Sequence, residues 1–275
     1  SGGDAIEFYY PATGLAKADD FYADIEYFKA QSETYEATVT GESQIIIYDN
    51  INFDASTYEV KELAEFLSQN GYMTVANNLP GHGTTVNDCN NATYTDWIKF
   101  TEMDIANLAS KCDEIHIIGI SMGSVLGLHL ATLFPINSLI AAATVFKFNN
   151  EFNVRILVPL LSWLITKRNK ASQYKEGNKM EFTGYSEYPL KALNQMRKLT
   201  SYIRPKLKKV KCPTLIIHSE ADRTSKKDNF HIVDSEIASK EKNTLIVNNA
   251  SHNLFCKSTD QRYIFDKVLS FINKH

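Results

Sequence analysis

The stretch Glu114-Ile115-His116-Ile117-Ile118-Gly119-Ile120-Ser121-Met122-Gly123 decides the fold. Its first seven residues form an apolar, isoleucine-rich run of strand type, and Met122 to Phe134 reads as a helix. At the junction stands Gly119-Ile120-Ser121-Met122-Gly123, a Gly-x-Ser-x-Gly sequence. The glycines let the chain turn tightly, which leaves the serine on a strained elbow with its hydroxyl exposed. A serine hydroxyl is a poor nucleophile at neutral pH. It needs a neighbouring base, and the base needs an acid to orient it.

Strands and helices alternate on both sides of this elbow. Gln44 to Tyr48 reads as a buried strand, and Ser56 with Glu59 offers a capping box for the helix that follows. Val60, Leu63, Phe66 and Leu67 keep helical spacing until Gly71 closes that helix. Further strands are expected at Tyr72 to Ala76, Ser138 to Val145, Thr214 to His218 and Thr244 to Val247, with helices at Thr95 to Lys111 and Gln261 to Asn273. This alternation predicts an α/β fold, a mostly parallel sheet covered by helices on both faces. Residues 41–146 and 212–275 form the expected core, and residues 1–40 an N-terminal extension without an assigned role. Residues 147–211 break the rhythm and read as a mostly helical cap over the carboxyl ends of the strands, where open α/β sheets place their ligands.

The partners of Ser121 follow from chain order, which for an elbow serine runs Ser, then Asp or Glu, then His. Asp222 comes a few residues after the strand Thr214 to His218, and His252 follows the strand Thr244 to Val247. Both therefore fall at carboxyl ends of strands, on the same edge as Ser121. Glu220 and Asp228 are rivals for the acid. The other histidines are poorer bases: His116 is inside a strand, His129 and His231 inside helices, His218 ends its strand too early, His82 precedes the serine, and His275 is terminal.

Composition narrows the class. Hydrophobic residues make up 44% and charged residues 22% of 275, as in ordinary globular proteins. The longest apolar candidate, Val154 to Thr166, is short and contains Arg155 and Pro159, which excludes a polytopic membrane protein. Four scattered cysteines, with no Cys-x-x-Cys, exclude a zinc ribbon or a disulfide-dense scaffold. The absence of a Gly-x-Gly-x-x-Gly, a Walker sequence or a His-Glu-x-x-His argues against nucleotide and metal sites, so no cofactor is expected. Charge is uneven: residues 147–211 hold 15 Lys and Arg against 4 Asp and Glu, a net of +11 in a chain of net −3. That basic insert suits an anionic head group or a membrane surface; the acidic remainder and the lack of a known module argue against nucleic acid.

The sequence resembles the α/β-hydrolases, in particular the monoglyceride lipase and small bacterial carboxylesterase branch. The resemblance rests on Leu79-Pro80-Gly81-His82-Gly83, Gly119-Ile120-Ser121-Met122-Gly123, Pro213 to His218 with Asp222, and Ser251-His252, and it spans residues 44 to 275. It implies Ser121 as nucleophile, Asp222 as acid, His252 as base, and the Met122 N–H as one oxyanion donor. Members of that branch commonly carry His-Gly after the first core strand, whereas this chain reads Tyr48-Asp49-Asn50-Ile51-Asn52. The second oxyanion donor is then the N–H of Asn50 or Ile51, or the Asn50 amide. Ser219 also stands where Gly is common ahead of the acid.

Two functions follow as expectations. The first is a serine esterase or lipase acting on an ester of short to medium acyl chain, such as a monoacylglycerol or lysophospholipid, with the apolar run Leu157 to Ile165 lining the acyl pocket. The second is a binding protein on the same fold, its catalysis impaired by the altered loop at Asp49 to Asn52. Either the cytoplasm or export after loss of a signal peptide is compatible with this reading.

Overall fold

The structure is a computed structural model that describes residues 34–37, 43–48, 60–109, 112–169 and 187–275. Seven strands form the main sheet: β1 (Thr34–Ala37), β2 (Ser43–Tyr48), β3 (Met73–Asn77), β4 (Glu114–Ile120), β5 (Ser138–Ala142), β8 (Thr214–Ser219) and β9 (Lys242–Val247). Their spatial order is β1-β3-β2-β4-β5-β8-β9. Only β1 runs antiparallel, against β3, with Tyr35 opposite Ala76. All other pairings are parallel. β1 lies inside the extension drawn at residues 1–40, so part of that segment adds an edge strand to the sheet.

Strand side chains alternate between faces, and the two cores show it. Ile115 and Ile117 of β4, Leu139 and Ala141 of β5 and Ile216 of β8 belong to one core. Ile118 and Ile120, Ile140 and Ala142, and Leu215 and Ile217 belong to the other. Two helices, α1 (Lys61–Gln69) and α8 (Gln261–Ile272), supply Leu63, Leu67, Ile264 and Val268 to the second core. The first core is covered by α3 (Tyr94–Ala109), α4 (Met122–Leu130), α6 (Leu190–Ile203) and α7 (Lys227–Glu236). Short α2 (Val86–Asn91) is opened by a capping box between Thr85 and Asp88.

Several expected boundaries shift. The capping box at Ser56 and Glu59 lies outside the described residues; α1 begins after Val60, which makes no side-chain cap. Gly71 does follow that helix at φ +95°. β5 stops at Ala142 rather than Val145, because Ala143 turns to φ +45°, although its N–H still bonds Ile217 O of the neighbouring strand at 2.9 Å. α4 ends at Leu130 in a turn instead of running to Phe134.

Residues 147–211 hold more than helices. A π-type turn (Asn153–Leu157) leads into α5 (Val158–Leu161), then β6 (Lys167–Asn169) pairs antiparallel with β7 (Glu187–Pro189) before α6. Asn90 is one of the side chains that tie the segment to the body. Asn90 donates from Nδ2 to Thr166 O (2.9 Å) and accepts the N–H groups of Lys191 (3.0 Å) and Ala192 (3.2 Å). Among the described residues, nothing encloses the apolar run. Leu160 is 62% and Trp163 70% exposed, with Phe152, Leu164 and Ile165 exposed beside them.

Candidate active site

Parallel β4, β8 and β9 deliver three loops to one edge of the sheet. At the end of β4 the chain reverses through Ser121, whose φ of +55° and ψ of −113° are strained for any residue with a Cβ. The Ser121 N–H bonds Ala142 O at 2.9 Å, which anchors the turn to β5. Gly119 permits the turn: a Cβ there would lie 2.6 Å from Ser124 Cα and from the Gly123 carbonyl carbon. Met122 begins α4, so its N–H belongs to the first turn, where helical amides have no intrahelical partner.

Asp222 follows β8 and His252 follows β9. His252 Nδ1 lies 2.8 Å from Asp222 Oδ2, and His252 Nε2 lies 2.9 Å from Ser121 Oγ. With Asp222 ionised, Nδ1–H is the donor to the carboxylate and Nε2 is left to accept the Ser121 hydroxyl proton. The other Asp222 oxygen accepts the N–H groups of Thr224 (2.7 Å) and Ser225 (2.9 Å). The Asp222 side chain is fully buried and that of His252 is 13% exposed. Burial alone pushes the Asp222 carboxyl up, but the hydrogen bond and charge of His252, with the two amide donors, overcome this and hold it below the usual carboxylate range.

The rival acids face elsewhere. Glu220 pairs with Lys227 and Asp228 with Lys147 (3.1 Å), both at the surface. His82 is buried, hydrogen-bonded to Pro80 O at 3.3 Å and edge-on to Trp97. Burial drives its pKa down to about 4, so it is a neutral packing group of the Leu79 to Gly83 loop. The expected second oxyanion donors, Asn50 and Ile51, lie outside the described residues together with Asp49.

Several supporting residues escape a sequence reading. Ser225 Oγ donates to Thr144 O (2.6 Å), and Thr144 Oγ1 meets Ser124 Oγ of α4 at 2.6 Å. Buried Asn229 accepts the N–H groups of Phe146 (2.8 Å) and Lys147 (2.6 Å) and donates to Lys147 O (2.9 Å) and Ser225 Oγ (3.1 Å). Asp260 accepts the N–H groups of Asn248, Asn249 and Ala250, just ahead of His252. None sits in a recognisable sequence pattern. Ser219, visible as a departure from glycine, is the exception.

The family model described as serine aminopeptidase, S33, matches residues 53–259. The chain belongs to this hydrolase family. Among relatives of this S33-family protein, the thermostable monoacylglycerol lipase of Bacillus sp. strain H-257 is 26% identical over 230 residues, 81% of this chain and 88% of the lipase. A carboxylesterase of Bacillus subtilis strain 168 is 20% identical over 223 residues, 81% of this chain and 89% of the esterase. The structure of LipS and LipT, two metagenome-derived lipolytic enzymes, aligns with a TM-score of 0.78 at 22% identity, covering 88% of this chain and 98% of that one. A soluble variant of Saccharomyces cerevisiae monoglyceride lipase, in complex with a substrate analogue, aligns with a TM-score of 0.68 at 15% identity over 89% of this chain and 91% of its own. The fold is that of the α/β-hydrolases, and the S33-family chain is of their lipase and esterase type.

Proposed function

We propose that the protein is a serine hydrolase of carboxylic esters that works through an acyl-enzyme on Ser121. The observation that carries this reading is the unbroken line from Ser121 Oγ through His252 to Asp222, at 2.9 and 2.8 Å. Ser121 Oγ attacks the ester carbonyl as His252 Nε2 takes its proton. Asp222 stabilises the imidazolium and keeps its Nδ1–H in place. The tetrahedral oxyanion is met by the Met122 N–H and by a second donor from Asn50 or Ile51. His252 then protonates the leaving alcohol, and water, deprotonated by the same nitrogen, releases the acid and restores Ser121.

Residues 147–211 act as the cap in this reading. The substrate is an acyl ester of short to medium chain, with monoacylglycerol or lysophospholipid as the class; the Bacillus monoacylglycerol lipase lends support. The open apolar face at Phe152, Leu160, Trp163 and Leu164 supports delivery from a lipid surface, and the net charge of +11 on residues 147–211 supports an anionic one. The loop Asp49 to Asn52, on which the non-catalytic reading rests, lies outside the described residues.

The test is a p-nitrophenyl ester series of increasing chain length, run on wild type and Ser121→Ala with fluorophosphonate labelling alongside. Turnover and labelling are expected in wild type and absent in the variant. An aminoacyl p-nitroanilide tests the peptidase chemistry in the family's description; a higher kcat/KM for that amide than for every ester overturns the ester assignment. Folded wild type that neither turns over nor labels overturns the hydrolase assignment.

A further inference from the structure

We propose that Ser219 is a positioning residue that joins the loop of the acid to the loop of the base; this rests on the Ser121–His252–Asp222 reading above. β8 and β9 run in register to their last rung, Ser219 opposite Val247, and the Glu220 N–H bonds Val247 O at 2.9 Å. Beyond that rung the two chains leave the sheet. Ser219 Oγ continues the connection: it donates to Ala250 O at 2.5 Å and accepts the Ala221 N–H at 3.1 Å. Ala221 directly precedes Asp222, and Ala250 stands two residues before His252. One buried hydroxyl, 1% exposed at its residue, therefore holds the approach to both partners of the His–Asp bond.

The opposite side of the same segment is held by Asp260, whose carboxylate takes the N–H groups of Asn248 (3.2 Å), Asn249 (2.7 Å) and Ala250 (3.3 Å). Ala250 is thus fixed at both its amide and its carbonyl, on two independent elements. A glycine or alanine at 219 strips the donor from the fully buried Ala250 carbonyl, and a buried carbonyl without a partner pulls its segment toward water. His252 sits at the end of that segment, and its two contacts tolerate little displacement. Ser219 touches no reacting atom; it acts through the placement of His252 relative to Asp222.

The experiment compares wild type with Ser219→Ala, Ser219→Gly and Ser219→Thr, reading kcat and KM on p-nitrophenyl butyrate, the thermal midpoint, and the low-field proton NMR signal of the His252 Nδ1–H. Ser219→Ala and Ser219→Gly are expected to lower kcat at least tenfold with KM within twofold, and to weaken the low-field signal through faster exchange. Ser219→Thr keeps the hydroxyl and is expected to recover most of the loss. A Ser219→Ala protein with wild-type kcat, or with an unchanged low-field signal, overturns the proposal. If wild type itself has no turnover, the hydrolase reading fails, while the NMR comparison still decides whether Ser219 places the His–Asp pair. Should Ser219→Thr be too bulky to fold, the Ala and Gly pair carries the same comparison.

Discussion

Asp222 and Ser225 are bound to each other by an amide, while the Ser225 hydroxyl reaches Thr144: the Ser225 N–H lies 2.9 Å from Asp222 Oδ1 and Ser225 Oγ 2.6 Å from Thr144 O. The acid is thereby fixed to the turn after β5 as well as to the loop after β8, and only one of its oxygens is left for His252. An Asp222→Asn protein keeps an acceptor for the two amides but presents an NH2 group to His252. That stabilises the wrong tautomer of the base. The expected loss in kcat is about 10⁴-fold with KM little changed. Steady-state kinetics on the ester series checks it; a loss below tenfold removes Asp222 from its assigned role.

Acidification should weaken the fold in two separable windows. His82 has its folded pKa lowered to about 4, so between about pH 6.5 and 4 the unfolded chain binds a proton that the folded chain refuses. Stability therefore falls as pH drops through that range, by about 2 kcal/mol at pH 5 relative to pH 7.5 for His82 alone. His116, also lowered to about 4 by burial, adds in the same direction. Asp222 acts lower: its depressed folded pKa contributes stability above about pH 4, the unfolded value, which is lost as pH falls through the folded one. Urea unfolding at pH 5 and 7.5 should show a difference about 2 kcal/mol smaller in His82→Gln than in wild type. Equal differences in the two proteins refute the assignment.

Gly119→Ala forces a methyl group against the backbone of Gly123 and Ser124, atoms that move only with the elbow itself. A cost of about 3 kcal/mol is expected, with loss of fluorophosphonate labelling in the protein that remains folded. Gly71→Ala is the control. Its φ is +95° but nothing lies within 4 Å of the added carbon, so only the backbone term remains, about 1 kcal/mol. Comparable thermal midpoints for the two variants would show that the close approach at Gly119 carries no weight.

Much of this architecture is legible in the order of residues, and the limits have physical causes. β4 is found end to end because isoleucines fill both of its faces, and the three meeting side chains are found because each follows a strand. The overrun of β5 arises at Ala143, since nothing in an alanine-rich run announces a positive φ. The three-residue strands β6 and β7 are too short to show a period. Ser219, Ser225 and Asn229 act across gaps of 31, 81 and 83 residues, so their roles exist only once the sheet has formed. The run from Leu157 to Ile165 is apolar as read, but apolarity alone does not say whether a face meets protein, solvent or lipid.

That open face provides a further test. Leu160→Ser with Trp163→Ser removes exposed side chains, so the thermal midpoint should stay within about 2 °C of wild type. Binding to anionic vesicles in a flotation assay, and turnover of vesicle-embedded monoacylglycerol, should both fall at least fivefold, while p-nitrophenyl acetate turnover stays the same. Undiminished flotation would detach this face from the lipid surface.

The spacing of the three loops also bears on how the molecule comes into being. Ser121 leaves β4, Asp222 leaves β8 and His252 leaves β9, with β5 seated between the first two, and 131 residues separate the serine from its base. No nascent fragment ending before residue 252 holds the full set. On the proposed mechanism, a chain still in synthesis would turn over no ester until residue 252 has joined that edge of the sheet. On refolding, ester turnover should be the last signal to return, after the helical circular dichroism, because it reports the completed edge of the sheet.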